Sequence, residues 1–369
     1  MFALVRRRIA AATIALACAG APASLSALEV TDVLGRTVDV PAPAQRVLLG
    51  FYFEDFLAIA GPGAFDRVVA ISREAWEGWR NSQWKTYVRA IPRLETLVDV
   101  GEVDAGTFNI EAAVAARPDV AIIAAWQYSA MGESIARLEA AGTKVIVADY
   151  NAQKVERHVA STLAIGQVMG TETRARELAD TYAAAVAEVE RRVAAAGKPE
   201  KRVYIEIGNK GAGEYSNSYS GTMWGGVIDT AGGINIANGH ITGAKPLSPE
   251  YVIAANPQVV FLAGSWWTNR DSAVLMGFGV DPDETRARMR PYLERAGWSS
   301  LDAVKTGEVH ALYHGGARTL YDHAFLQYIA KVLWPEAFAD IDPVETQRRY
   351  YDRWLPIVAD GAFMVRIAP

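Results

Sequence analysis

The chain has 369 residues, 51% hydrophobic and 21% charged, with a net charge of −5. That length accommodates two ordinary domains, each with its own core. The acidic balance, with no lysine–arginine block beyond the N-terminus, argues against a nucleic-acid partner. Past the N-terminal residues no apolar stretch approaches the ~20 residues of a membrane span.

Arg6, Arg7 and Arg8 precede an apolar run from Ile9 to Ala19, followed by the small residues of APASLSA. Basic, apolar and small-residue regions in that order predict a secretory signal over residues 1–27, cleaved after Ala23, Ser26 or Ala27. The mature chain would be periplasmic, with a net charge of −8 once the three arginines are subtracted from −5. Cys18, the only cysteine, lies in this segment. Lipidation there is the lesser alternative, because Ala15 rather than leucine stands three residues before it. The mature body has no disulfide, so packing must supply its stability.

From Leu28 onward, LEVTDVLGRTVDV predicts a β-hairpin turning at Leu34-Gly35-Arg36. VLLG, VVAIS and KVIVAD then read as strands alternating with helical stretches, one of them near residues 131–141, the pattern of a largely parallel α/β sheet. Residues 28–170 form the first expected lobe. Gly170-Thr171 divides two helices, glycine suiting a C-terminus and threonine an N-cap. Residues 171–197 lack an internal proline or glycine before Gly197, and read as a connecting helix about 37 Å long at 1.5 Å per residue. Residues 198–369 form the second lobe, with strands RVYIEIG and VHALY and a closing helix through ETQRRYYDRWLPIV.

FNIEAAVAARPDVAII at 108–123 and LSPEYVIAANPQVVFL at 247–262 match in register. Glu111 falls on Glu250, 139 residues apart, and Pro118 on Pro257, with Asn109 and Ser248 as the caps. A carboxylate in a first helical turn favours the helix by ~0.3–1 kcal/mol, which accounts for either glutamate alone. Two equivalent acids in two equivalent units also suit a partner with two equivalent basic patches.

The hairpin TDVLGRTVDVPAPAQRVLL, the paired Glu/Pro helix–strand units, the connecting helix and the export signal together resemble the periplasmic proteins that deliver iron–siderophores, haem or cobalamin to ABC importers. The resemblance spans essentially the whole mature chain. It implies an α/β fold of two Rossmann-like lobes joined by one long helix, with ligand held between them. It also implies a monomer that docks an inner-membrane permease dimer through Glu111 and Glu250. The resemblance implies no intrinsic cofactor, the transported ligand being a metal chelate, most readily of Fe3+. Haem, cobalamin, a nickel chelate and an oxyanion such as molybdate remain alternatives.

Ligands of α/β sheets bind beyond the C-terminal strand ends, and those segments here are rich in aromatic residues. They supply Tyr52, Trp79, Arg80, Trp126 and Tyr128 from the first lobe. The second supplies Tyr215, Tyr219, Trp224, Trp267, Arg270, His314, Arg318 and Tyr321. Aromatic rings suit a broad planar ligand, and arginines suit carboxylate or catecholate oxygens. His314 is the best-placed imidazole for an open position on a chelated metal. No H-x₃₋₅-H pair points to a bare zinc or manganese site.

A secreted α/β enzyme is the competing class. The loop GNKGAGEYSNSYSGTMWGG follows a strand but matches neither G-x-x-x-x-G-K-[ST] nor G-x-G-x-x-G. Ser216, Ser218 and Ser220 occupy no G-x-S-x-G elbow. Enzymatic chemistry therefore has little support, and no catalytic residue is assigned.

Overall fold

The computed structural model describes residues 26–198 and 200–367. The expected signal segment, Cys18 included, lies outside them apart from its last two residues.

β1 (Ser26–Thr31) and β2 (Thr37–Ala42) form the expected antiparallel hairpin, with Leu28 opposite Val40. Asp32 closes its turn by accepting from the backbone N–H groups of Leu34 and Arg36. β3 (Val47–Leu49), β4 (Val68–Ile71), β5 (Val98–Asp99), β6 (Val120–Ala124) and β7 (Lys144–Ala148) make a parallel sheet in the order β5-β4-β3-β6-β7. Its central strands carry apolar residues on both faces because helices cover both.

The second half repeats the plan. β8 (Arg202–Ile207) is followed by β9 (Asn217–Ser220), β10 (Ile234–Asn235), β11 (Gly243–Pro246), β12 (Val259–Gly264), β13 (Gly277–Phe278), β14 (Val309–Tyr313), β15 (Gly361–Ala362) and β16 (Met364–Arg366). The main sheet runs β10-β8-β12-β14-β16, parallel except for its last strand. β9 pairs with β11, and β13 with β15, as small antiparallel ribbons.

One expectation needs correction. The closing helix Pro343–Trp354 stops earlier than the apolar pattern suggested, and the chain then returns as β15 and β16. Leu355 is extended because the following Pro356 disfavours the helical region for it. The helix expected near 131–141 runs over Glu133–Ala140, and a separate helix, Ala125–Met131, precedes it across Gly132 with φ 51°.

A helix at Glu172–Ala196 leads from one sheet to the other. It buries Ala175, Leu178, Tyr182, Val186 and Val189. It packs on the helices Phe53–Ala60 and Val155–Met169 before it and on Asp322–Leu333 beyond it. Gly166 permits the closest of these approaches: a Cβ there would sit 2.3 Å from that of Ala175. Thr171, expected as a side-chain cap, precedes the helix without making that bond.

The halves also meet through buried polar groups. Glu54 Oε1 accepts from the hydroxyls of Tyr87 (2.8 Å) and Tyr351 (2.7 Å), and Oε2 from Tyr321 (2.7 Å) and Gln83 (2.7 Å). Asp55 accepts from the backbone N–H of Leu320 at 2.7 Å. Burial raises the Glu54 pKa and holds that of Asp55 well above the usual carboxylate range. At the cleft edge the Asn81 N–H donates to Trp266 O (2.9 Å) and the Thr268 N–H to Gly78 O (2.9 Å). Backbone hydrogen bonds of this kind fix how the two walls face each other.

Candidate functional site

A cavity of about 670 Å³ lies between the sheets at the C-terminal ends of their parallel strands. The segment after β4 contributes Glu74, Trp79 and Arg80; that after β6, Trp126; that after β7, Asn151. The opposite wall takes Asn209 after β8, Trp267 and Arg270 after β12, and His314 and Arg318 after β14. Tyr219 from β9 and Thr222 and Met223 beside it complete that side.

Charge is concentrated in three arginines. Arg80 and Arg318 are buried, 5% and 8% exposed, and each guanidinium lies against the same Phe51 ring, at 5.1 and 4.7 Å from its centroid. Arg270 is exposed at the rim. Among the described residues none of the three forms an ion pair, whereas the equally buried Arg295 is clamped by Glu206 at 2.7 and 2.9 Å. Nη2 of Arg80 and Nε of Arg318 are buried without a hydrogen-bond partner among the described residues. Buried cationic donors normally have partners, so these two are exceptions within the cavity wall. Burial and the neighbouring Arg80 push the Arg318 pKa down to about 10, which still leaves it charged near neutrality. Glu74 and Asp104 are the acids on the wall, and burial raises the pKa of Glu74.

The backbone is strained where it meets the cavity. Met223, Asn269 and Arg318 all have left-handed φ values, of 45°, 60° and 61°. Such conformations cost on the order of 1–3 kcal/mol each and persist where the surroundings over-determine them.

His314 is set by a neighbour behind the wall. The fully buried Trp224 donates its indole N–H to His314 Nδ1 at 3.1 Å. Burial, then Arg318 and Arg80, hold the His314 pKa well below its ordinary value, so the ring is neutral.

Trp79, Arg80, Trp126, Tyr219, Trp267, Arg270, His314 and Arg318 therefore meet in one cleft. Five other expected residues do not line it. Tyr52 is buried one layer down, its hydroxyl donating to Asn151 Oδ1 at 2.9 Å. Tyr128 lies on the far side of the first sheet, under the Arg36 guanidinium at 4.5 Å. Tyr215 accepts from the Trp298 indole at 2.7 Å and packs against Arg295. Trp224 backs His314, and Tyr321 is spent on Glu54. In each case a hydroxyl or indole N–H found a protein partner and turned the ring inward. The role expected of His314 is to fill an open position on a chelated metal, which calls for one ring nitrogen. Among the described residues no cluster of three histidine, cysteine or acidic side chains could hold an ion, and its Nδ1 is already engaged.

Sequence reasoning missed Glu74, Asp104, Asn151, Asn209, Thr222, Met223 and Asn269. Phe51, beside the chosen Tyr52, is also buried and packs against the Arg80 and Arg318 guanidiniums. The polar residues carry no signal apart from their position after a strand.

Glu111 and Glu250 stand in the first turns of the helices Ile110–Ala115 and Pro249–Ala255, both exposed, away from the cleft.

Two α/β sheets, a bridging helix and an interfacial cleft define a two-lobed solute-binding protein. The chain belongs to the periplasmic binding protein family, whose model matches residues 47–313. It is 34% identical to the TroA-like periplasmic binding protein FepB of Veillonella parvula, covering 92% of this chain and 99% of that one, with a TM-score of 0.85. It is 23% identical to the molybdate-binding protein MolA of Haemophilus influenzae, over 92% of this chain and 95% of that protein. The molybdate-bound structure of MolA superposes with a TM-score of 0.70, over 90% of this chain and 99% of that one. A periplasmic haem-binding protein from Pseudomonas aeruginosa shares the fold at 20% identity and a TM-score of 0.57, over 79% of this chain and 94% of that one. The protein is thus a substrate-binding component of an ABC importer and not an enzyme, and no described helix is long and apolar enough to cross a membrane.

Proposed function

We propose that this protein is exported by its N-terminal signal and captures an anionic metal chelate, a ferric siderophore complex first of all, for an inner-membrane permease. One observation supports this above the others. Three arginines that form no ion pair among the described residues line a cavity of about 670 Å³ walled by Trp79, Trp126 and Trp267. Arginine matches carboxylate or catecholate oxygens in bidentate geometry, and indole faces suit flat ligand arms. Neutralising the ligand's charge would also offset the repulsion between Arg80 and Arg318. The iron arrives within its chelate, so the protein need supply no metal ligand. Delivery would follow docking of Glu111 and Glu250 on two basic patches of the permease.

A second reading, a bare oxyanion such as molybdate, is favoured by the whole-length likeness to MolA. The same arginines serve it, but a tetrahedral oxyanion would leave most of the cavity filled with water. Tryptophan fluorescence titration separates the two. A ferric tris-catecholate complex should quench saturably at a stoichiometry near one, without turnover, and outcompete molybdate. Binding of molybdate alone would replace the chelate with the oxyanion.

A further inference from the structure

The imidazole of His314 has only one tautomer open to it. An indole N–H can donate but not accept, so His314 Nδ1, 3.1 Å from Trp224 Nε1, must present its lone pair to Trp224. A neutral ring with Nδ1 unprotonated carries its proton on Nε2. Trp224 cannot turn away: it is fully buried, edge-on to Phe325 at 5.7 Å, in the helix Met223–Thr230. The flanking Gly225 tightens that helix against β9, since a Cβ there would meet Tyr219 O at 2.6 Å. The ring lies between Tyr219 and Trp267, at centroid distances of 6.2 and 6.0 Å. Nε2 has no hydrogen-bond partner among the described residues, and His314 lines the cavity.

We propose that Trp224 is a positioning residue that fixes His314 as an Nε2–H donor, making the cleft selective for ligands that offer anionic oxygens and against metals with an open coordination site. This rests on the anionic-chelate reading of the same cleft. Coordination through Nε2 would require that nitrogen to lose its proton. Either the Trp224 hydrogen bond must then break, so that Nδ1 takes the proton, or an imidazolate must form. Both are costly in a buried ring, so the donor form is the one a ligand meets. Together with Arg80 and Arg318, His314 then presents donors only, a group matched to acceptor oxygens and mismatched to a Lewis acid seeking a lone pair.

The deciding measurement is the long-range proton–nitrogen correlation spectrum of the histidine-labelled protein, with His314 assigned by His314→Gln. A protonated Nε2 and an unprotonated Nδ1 at neutral pH are expected; the reverse tautomer overturns the proposal whatever the ligand is. The second measurement uses a ferric tris-catecholate complex and Ni2+ alone as probes. Gln can place an N–H near Nε2, so His314→Gln should hold the chelate within about threefold, whereas His314→Leu should weaken it about tenfold. Equal loss in both variants, or a shift of the chelate's charge-transfer band showing imidazole on iron, overturns the donor role. Trp224→Phe removes the indole N–H together with part of the ring while keeping an aromatic side chain, and should give mixed tautomers and measurable Ni2+ binding absent from the parent. An unchanged tautomer in that variant overturns the positioning role. If the chelate fails to bind the parent while the Nε2–H tautomer is observed, the functional reading fails and the tautomer assignment survives.

Discussion

The two helix–strand units around Glu111 and Glu250 are built by the same local physics and finished differently at the surface. Asn109 Oδ1 accepts from the Ala112 N–H at 2.9 Å, and Ser248 Oγ from that of Tyr251 at 3.2 Å. Each helix ends on a left-handed residue, Arg117 with φ 49° and Asn256 with φ 42°, before the matching proline. Asp119 and Gln258, again in register, accept from the backbone N–H groups of Arg46 (2.9 Å) and Arg202 (2.8 Å). Those arginines return the contact. Arg46 donates to Ala116 O and Arg117 O at 2.7 and 2.8 Å, and Arg202 to Ala255 O and Asn256 O at 2.7 and 3.0 Å. Helix end, proline turn and neighbouring strand are thus clasped alike in both lobes. The acids differ. Glu111 is paired with Arg137 at 2.9 Å, a bond that lowers its pKa, whereas Glu250 has no ion pair among the described residues. Scaffold equivalence therefore does not make the two carboxylates electrostatically equivalent: Glu250 offers a freer charge to a partner.

That difference can be tested from the largest effect downward. Charge reversal at both sites, Glu111→Arg with Glu250→Arg, should abolish import while chelate affinity stays unchanged. Loss of affinity would instead place the acids in ligand binding. Of the single reversals, Glu250→Arg should slow permease association more, by roughly three- to tenfold at low salt, because rim charges act mainly on association rates. Equal effects would mean that Arg137 releases Glu111 on docking.

The equivalence also presumes lobes held in fixed relation, and Glu54, like Asp55, is a buried group that spans them. Glu54→Gln should cost about 1–3 kcal/mol in urea unfolding, because an amide cannot accept all four donors. A pH dependence follows from the raised folded pKa of Glu54. Its protonated form favours the fold, so that contribution is complete below the unfolded pKa and is lost as pH rises through the folded one. The parent should therefore lose stability relative to the Gln variant as pH rises from the ordinary glutamate value of 4.5 through the raised one. Constant spacing between the two curves would show that Glu54 does not titrate there.

The clasps make a sharper comparison. Arg46→Ala and Arg202→Ala should each destabilise by about 1–2 kcal/mol, and by similar amounts, since each frees two carbonyls. The smallest effects belong to the caps, with Asn109→Ala and Ser248→Ala costing about 0.5–2 kcal/mol and the asparagine, whose bond is shorter, costing more. A marked imbalance between the arginines would mean that the lobes share a sequence pattern but not a mechanism.

Local sequence was enough for the scaffold. Cap, acid, proline and β-branched run recur 139 residues apart, and each is read from its own few neighbours. The same holds for the hairpin and for the long helix, whose apolar stripe needs only a 3.6-residue period. The strand ends that bear the cleft were legible for the same reason, and eight of the thirteen residues expected there line it.

Tertiary structure alone decided which way each aromatic turned. Whether a side chain such as Tyr321 or Arg318 reaches the cleft is a rotation about the chain that depends on partners hundreds of residues away, such as Glu54 for Tyr321. β16 likewise exists only because β14 has an open edge to receive it. The state of His314 is the clearest case. Its sequence neighbours permit either tautomer, and the N–H of Trp224, 90 residues earlier, leaves one.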